Sequence, residues 1–392
     1  MNIQLRPHQI RGDVAMQQHN LGQLIYPTGG GKTLNMIMDA VRQFQSATPQ
    51  TVVVVAPRIL LAEQLSSEFL EFITNAAVFH VHSGETTHES STRPAVISQW
   101  VEDNQSRHKL IVTTYNSLQR LVDAEVDVDT IYFDEAHNSV KRNFFPATEH
   151  FSANANRCYF FTATRKTSVT VGKPGMNDVD VYGNIICRVS APELVEGGYI
   201  VAPKIVAKKF EVLNSKQITA ECDSSNLMET LDDIDCKKIL VCVKSAKQLI
   251  DLVSQSDCIT ELENRGYSYL YITSKTGAVI DGKKVDREVF FDTLNAWGRD
   301  SSKKFVCLHR SILSEGINVS ELEAVVFLRN MDVIELTQTI GRVLRKGGKD
   351  KVWGMCVVPV YSKVGIATER ALQGVVDAVF EKGELLDSVV RR

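Results

Sequence analysis

The sequence holds no run of apolar residues approaching the ~18 that a membrane-spanning helix requires. Its opening segment, MNIQLRPHQIRGDV, places Arg6, Arg11 and Asp13 where a secretory leader would be apolar. No membrane partner is therefore expected. Positive charge is also missing in bulk: 44 Lys and Arg stand against 47 Asp and Glu, a formal net charge of −3. This excludes a histone-like chain and confines any contact with polyanions to local patches. The eight cysteines are scattered, with no CxxC pair and no cysteine and histidine cluster at zinc spacing. They read as reduced thiols. There is no low-complexity tract and no short repeat, and 44% hydrophobic with 23% charged residues excludes a mainly disordered chain.

What is present is length and pattern. A chain of 392 residues exceeds one ordinary core, so two domains are expected. The first half alternates apolar runs (LGQLIY, TVVVVA, AVFHVH, KLIVTT, TIYFDE, RCYFFTAT) with helix-like stretches such as TLNMIMDAVRQF and the Leu-rich segment 58–72. Runs rich in β-formers without polar alternation are what strands covered on both faces look like, so the pattern predicts an α/β fold with a parallel sheet between helices. The second half repeats it in KKILVCV, YSYLYIT, KKFVCLH, EAVVFL and WGMCVVPV, with helices expected around 244–254, 286–297 and 334–345. Between the halves, SAPELVEGGYIVAPKI carries Gly197, Gly198 and Pro203, which sets the boundary near residue 200 and gives domains 1–198 and 199–392.

Two constellations carry chemistry. Pro27-Thr28-Gly29-Gly30-Gly31-Lys32-Thr33 follows a strand-like run and opens a helix-like one. Glycines let backbone N–H groups curl around phosphate oxygens, Lys32 places a cation on the β- and γ-phosphates, and Thr33 offers a hydroxyl to Mg²⁺. Tyr26 stands where a strict GxxxxGK[ST] loop has its first Gly; a glycine turn capping a helix is the plain alternative. Asp134-Glu135-Ala136-His137 ends a buried-strand pattern, which suits Asp134 to hold Mg²⁺ and Glu135 to polarise an attacking water.

Together these segments resemble the superfamily 2 helicases and translocases, in the DEAH form of their second motif, over nearly the whole chain. The resemblance implies two tandem RecA-like domains with ATP and Mg²⁺ in an interdomain cleft. It also assigns the remaining motifs. Arg6 and Gln9 of LRPHQ look like the adenine-reading segment, where a side-chain amide offers a donor and an acceptor. Pro57-Arg58, Thr113-Thr114, Ser274 and Thr276, and Ser314 look like contacts to a nucleic-acid backbone, with helix capping as the ordinary reading of Thr114. Thr162 and Thr164, within reach of His137, look like the coupling motif. Gly316 and Asn318 of SEGIN resemble the fifth motif on the nucleotide side. Gln338, Arg342 and Arg345 match the QxxGRxxR sixth motif, where three-residue spacing on a helix would give both arginines one face and Gln338 could position water. Lys346, Lys349 and Lys351 lie beyond and suit the end of that helix.

The LRPHQ start, the EGGYIVAPKI connector and the EGIN segment look most like the branch containing restriction-enzyme motor subunits and branch-migration or repair helicases, of bacterial or phage style. That implies an ATP hydrolase moving along or remodelling forked or duplex DNA, in the cytoplasm, or the host cytoplasm if viral. DNA is favoured over RNA, and protein partners are possible. No nuclease, zinc or specificity module is visible in the sequence. The alternatives are an RNA helicase and a nucleotide-gated clamp without turnover.

Overall fold

The computed structural model describes residues 4–209, 219–273, 275–310, 321–328, 339–341, 343–345, 351, 353–360, 363–385 and 387–390. Two compact units emerge: Met1–Val189 together with Leu386–Arg392, and Ser190–Leu385. Each is built on a mainly parallel sheet flanked by helices, the RecA-like arrangement.

The first unit contains β1 (Leu21–Ile25), β2 (Thr51–Ala56), β3 (Ala76–Val81), β4 (His108–Thr114), β5 (Thr130–Phe133), β6 (Arg157–Thr162), β7 (Arg165–Ser168) and β8 (Ile185–Arg188). Seven of them form one sheet in the order β3-β4-β2-β5-β6-β1-β8, every pair parallel. In β2 the run TVVVVA is buried at all six positions because helices cover both faces of a parallel sheet. Val53, Val55, Phe79, Ile111, Phe133 and Phe160 pack together on one of those faces.

A buried polar knot fixes the helix Lys32–Gln43 to this sheet. Asp39 is fully buried on that helix and accepts two hydrogen bonds from the Arg157 guanidinium at 2.8 and 2.9 Å and one from the Tyr132 hydroxyl at 2.6 Å. Arg42 adds a second cation, donating at 3.0 Å. A carboxylate that gains a bidentate guanidinium and a phenol is compensated for leaving water. Its consequence is positional: the helix that opens at Lys32 is held against β5, the strand that ends beside Asp134.

The second unit contains β9 (Ala202–Lys209), β10 (Lys238–Cys242), β11 (Ser268–Thr273), β12 (Gly277–Ile280), β13 (Lys283–Val285), β14 (Phe305–His309), β15 (Ala324–Phe327) and β16 (Trp353–Val360). Their order is β13-β12-β11-β14-β10-β15-β16-β9. All pairs are parallel except the meander β11-β12-β13. That meander turns at Gly277 (φ 72°) and again at Asp281-Gly282 (φ 43° and 75°), a dipeptide that supplies two left-handed residues in a row. The connector between the halves folds as a helix, Ala191–Glu196, capped by the Ser190 hydroxyl, which accepts from the Glu193 amide at 3.3 Å. The chain then passes Gly198 (φ 67°) and enters β9.

The last strand, β17 (Asp387–Val390), pairs in parallel with β7, in register from Asp387 opposite Arg165 to Val390 opposite Ser168. No helix among the described residues is long and apolar enough to cross a membrane.

Candidate nucleotide-binding site

The phosphate loop occupies the turn between β1 and the helix Lys32–Gln43. Gly31 is the residue before that helix and has φ 79°, ψ 38°, a left-handed conformation in which a Cβ is strained. A side chain there would also place its Cβ 2.3 Å from Gln9 Nε2. Gly29 is left-handed as well, at φ 87°. No side chain caps the helix. The loop is held from outside by the N-terminal helix Pro7–Gln18: His8 Nε2 donates to the Gly30 carbonyl at 2.8 Å and Gln9 Nε2 to the Gly31 carbonyl at 3.1 Å. Asn35 donates back to the Gln9 carbonyl at 2.7 Å.

Gln9 also accepts from the Arg6 amide at 3.0 Å, so one end of its buried amide holds the loop and the other the start of its own helix. Tyr26 is fully buried, its hydroxyl 3.4 Å from the His8 carbonyl, and its amide donates to Thr162 at 3.0 Å. His8 is the residue that sequence reasoning passed over. Its only signal was its place in the RPHQ segment.

The acidic pair faces this loop. Lys32 Nζ lies 2.8 Å from Glu135 Oε1 and 4.0 Å from Asp134 Oδ1. Glu135 adopts φ 46°, ψ 53°, a left-handed conformation for a residue with a side chain, the kind of strain that persists at functional turns. Tyr115 donates to the Asp134 carbonyl at 2.9 Å and fixes the turn from below. Burial drives the Asp134 carboxyl up to about 7; Lys32 pulls the other way and Glu135 adds to the rise.

Glu135 is linked onward. Its Oε2 lies 3.5 Å from His137 Nδ1, and that nitrogen lies 3.0 Å from Thr162 Oγ1. The Thr162 hydroxyl donates to the Thr164 carbonyl at 2.9 Å, so it accepts from His137, which carries its proton on Nδ1. Asn138 Nδ2 lies 3.3 Å from the other ring nitrogen, as a donor to an acceptor. Burial holds His137 down at about 4, so the ring is neutral at neutral pH. Lys32, Glu135, His137, Thr162 and Thr164 thus form one connected array across the ends of β5 and β6.

The structure fits a nucleotide phosphate at this loop. Thr28 Oγ1 is buried without a hydrogen-bond partner among the described residues, Thr33 stands in the first helical turn, and the Lys32 ammonium is already matched to anionic oxygens.

The other sequence-derived positions are placed differently. Thr113 is fully buried and donates its hydroxyl to the Val81 carbonyl at 2.9 Å, while the neighbouring Thr114 is buried at the end of β4. Pro57 is half-buried and Arg58 exposed, just ahead of the helix Ile59–Leu70. In the second unit Thr276 closes the β11–β12 turn through a 2.7 Å contact with the Thr273 hydroxyl. The expected shared helical face for the two arginines is corrected in one respect. Arg345 lies past the helical turn that carries Thr339 and Ile340, in an isolated antiparallel bridge with Ile200. Lys351 donates to the Arg345 carbonyl at 3.0 Å, as a cation near a helix end should. Ser274, Ser314, Gly316, Asn318, Gln338, Arg342, Lys346 and Lys349 lie outside the described residues.

Comparison with known proteins agrees with this architecture. A family model for the type III restriction enzyme res subunit matches residues 2–167, and one for the helicase conserved C-terminal domain matches residues 223–347. Among solved structures, the chain is similar to the ATP-dependent Type ISP restriction-modification enzyme LlaBIII bound to DNA, with TM-score 0.75, 17% identity, and coverage of 99% of this chain and 31% of that one. It is similar to a nuclease-deletion mutant of the Type ISP enzyme LlaGI in complex with a DNA substrate mimic (TM-score 0.69, 17% identity, 98% and 30%). A fragment of an HsdR subunit of a type I restriction enzyme from Vibrio vulnificus YJ016 is similar at TM-score 0.61 and 14% identity, over 98% of this chain and 67% of the other. The chain therefore spans less than a third of the two Type ISP enzymes. A search of curated protein sequences finds no match. The two family matches follow one another along the two α/β units, a restriction-subunit model on the first and a helicase C-terminal model on the second.

Proposed function

We propose that the protein is an ATP-driven DNA translocase or helicase acting on duplex or forked DNA. The observation that carries this reading is the alignment of Lys32, Asp134 and Glu135 across a helix-opening glycine loop, wired through His137 to Thr162. In this reading residues 1–198 carry the ATP-binding function and residues 199–392 the C-terminal helicase function.

Mg²⁺-ATP, when bound, supplies the scissile phosphoanhydride and a divalent charge on its phosphates. Lys32 leaves Glu135 to neutralise the phosphates, and Thr33 and Asp134 would hold the metal. Arg6 and Gln9 serve the base, Thr28 and Gly29 to Gly31 the phosphate chain, and the motif that Gly316 and Asn318 resemble assigns them to the nucleotide as well. Glu135, freed of its lysine, orients and deprotonates water. Gln338, Arg342 and Arg345 steady that water and the charge developing on the transferred phosphoryl group. His137, Thr162 and Thr164 relay the state of Glu135 toward a bound strand. That strand is held by Pro57, Arg58, Thr113, Thr114, Ser274, Thr276 and Ser314, Thr113 and Thr114 acting through their backbone.

DNA is favoured over RNA because the two Type ISP structures of similar fold hold DNA or a DNA mimic. The test is steady-state ATP hydrolysis at one fixed salt concentration without nucleic acid and with single-stranded, duplex and forked DNA and single-stranded RNA. Strong stimulation by duplex or forked DNA is expected. Stimulation by RNA alone would transfer the protein to the RNA helicases, and binding of ATP without hydrolysis under any condition would make it a clamp.

A further inference from the structure

One group of metal-ligating side chains stands apart from the nucleotide site. His80 on the edge strand β3 and His82 just beyond it share one face, because alternate residues of an extended chain point the same way. Both rings are buried, at 0% and 3% exposure, and both turn toward Glu63 on the helix Ile59–Leu70. Glu63 Oε1 lies 3.2 Å from His80 Nδ1 and 3.0 Å from His82 Nε2, and the two nitrogens are 3.3 Å apart. The Thr86 hydroxyl closes a fourth side, 2.9 Å from His80 Nδ1 and 3.3 Å from Glu63 Oε2.

These separations have a coordination meaning. Four donors placed tetrahedrally at ~2.0–2.1 Å from Zn²⁺ stand ~3.3 Å from one another. Two imidazole nitrogens this close, both aimed at one carboxylate oxygen, form the ligand face of such a site. An outer contact is also in place, since His80 Nε2 lies 2.8 Å from the buried Ser66 hydroxyl. Burial keeps both rings neutral, the form that ligates.

We propose that Glu63, His80 and His82, with the Thr86 hydroxyl or a water as fourth donor, bind a divalent ion of the Zn²⁺ class. Without an ion, His82 Nδ1 accepts from the Gly84 amide at 3.3 Å, so its proton sits on Nε2 and is donated to Glu63. When the ion takes Nε2, that proton moves to Nδ1, the long Gly84 contact is released, and the ring stays neutral. The ion ties the edge of the first sheet to the helix that begins directly after Pro57-Arg58. Its role is structural, at the base of a segment proposed above to touch a DNA backbone. Sequence reading found no zinc spacing because one ligand lies on a helix well upstream and the other two form only an HxH pair.

The test is titration of the full chain, stripped of metal and free of nucleotide, with ZnCl₂ alone, read by calorimetry and by competition with a chromogenic chelator. One ion per chain is expected at this site, with a rise in melting temperature. Glu63→Gln, at a side chain still partly exposed, should weaken that binding at least tenfold and remove the thermal shift while circular dichroism is unchanged. His82→Gln should do the same. Absence of zinc binding by the wild type, or equal affinity and stoichiometry in wild type and Glu63→Gln, would overturn the proposal, the latter by showing that zinc binds elsewhere.

Discussion

Asp134→Asn should stabilise the nucleotide-free protein while it abolishes turnover. Asp134 is buried, and burial raises its carboxyl from 3.8 to about 7 against the pull of Lys32. At ~1.36 kcal/mol for each pH unit, that displacement corresponds to about 4 kcal/mol of disfavoured charge, a ceiling that relaxation lowers to about 2–4 kcal/mol. The amide removes this penalty and does not strand the ammonium, since Lys32 keeps Glu135 at 2.8 Å. The sign follows from proton linkage: between pH 4 and 7 the folded state binds the extra proton, so the wild-type carboxylate weakens the fold increasingly as pH rises. The margin between variant and wild type should therefore be greatest near pH 8 and vanish near pH 4. For a unit of this size it amounts to roughly 5–10 °C in melting temperature at pH 8. The assay is thermal unfolding of both proteins across that range, without Mg²⁺ or nucleotide. A margin that is constant with pH, or an amide variant less stable at pH 8, would refute the argument that this carboxylate is held in an environment built for a cation.

Glu135→Gln should lower ATP turnover on the order of 10²–10⁴-fold while ATP binding by equilibrium titration persists; Lys32→Ala should lose both, and equal loss of binding in the two variants would contradict a role for Glu135 in activating water. Gly12→Ala would put a Cβ 1.8 Å from the Tyr26 hydroxyl, so it should cost about 1–3 kcal/mol in denaturant unfolding, and Tyr26→Phe in the same chain should return most of that loss. Arg157→Met leaves the fully buried Asp39 with Arg42 as its remaining cation and should destabilise the first unit by about 3–5 kcal/mol; a loss below about 1 kcal/mol would mean that the knot does not hold the phosphate-loop helix in place.

The strand-forming runs were legible because a parallel sheet covered on both faces leaves an unbroken apolar signature. TVVVVA, KLIVTT and RCYFFTAT appear as β2, β4 and β6. The charged, half-exposed RKTS of β7 and the KKV of β13 carry no such signature, since each is held by pairing with a neighbour and not by its own burial. The turn after YSYLYIT, which the resemblance marks for phosphate contact, opens a meander at Gly277 that turns again at Asp281-Gly282, and the signal for that second turn was present in the Asp-Gly pair. In the site, residue types with one evident chemistry were legible: Lys32 and Glu135 meet at 2.8 Å. His8 and Asn35 were not, because their work is to hold backbone carbonyls, and any position in a helix can do that once the fold brings it near.

The pairing of β17 with β7 makes the order of synthesis matter. Residues 190–385 are, in chain terms, an insertion between two parts of the first unit. As the polypeptide leaves the ribosome, the phosphate loop and the acidic turn emerge early, but β7 waits for a partner more than two hundred residues away until the second unit has been made. A nascent or truncated chain ending before Asp387 would present β7 as an open strand edge, able to recruit a β17 segment from another molecule and so to exchange strands between copies. Completion of the first unit is thereby a report that the second has already been translated.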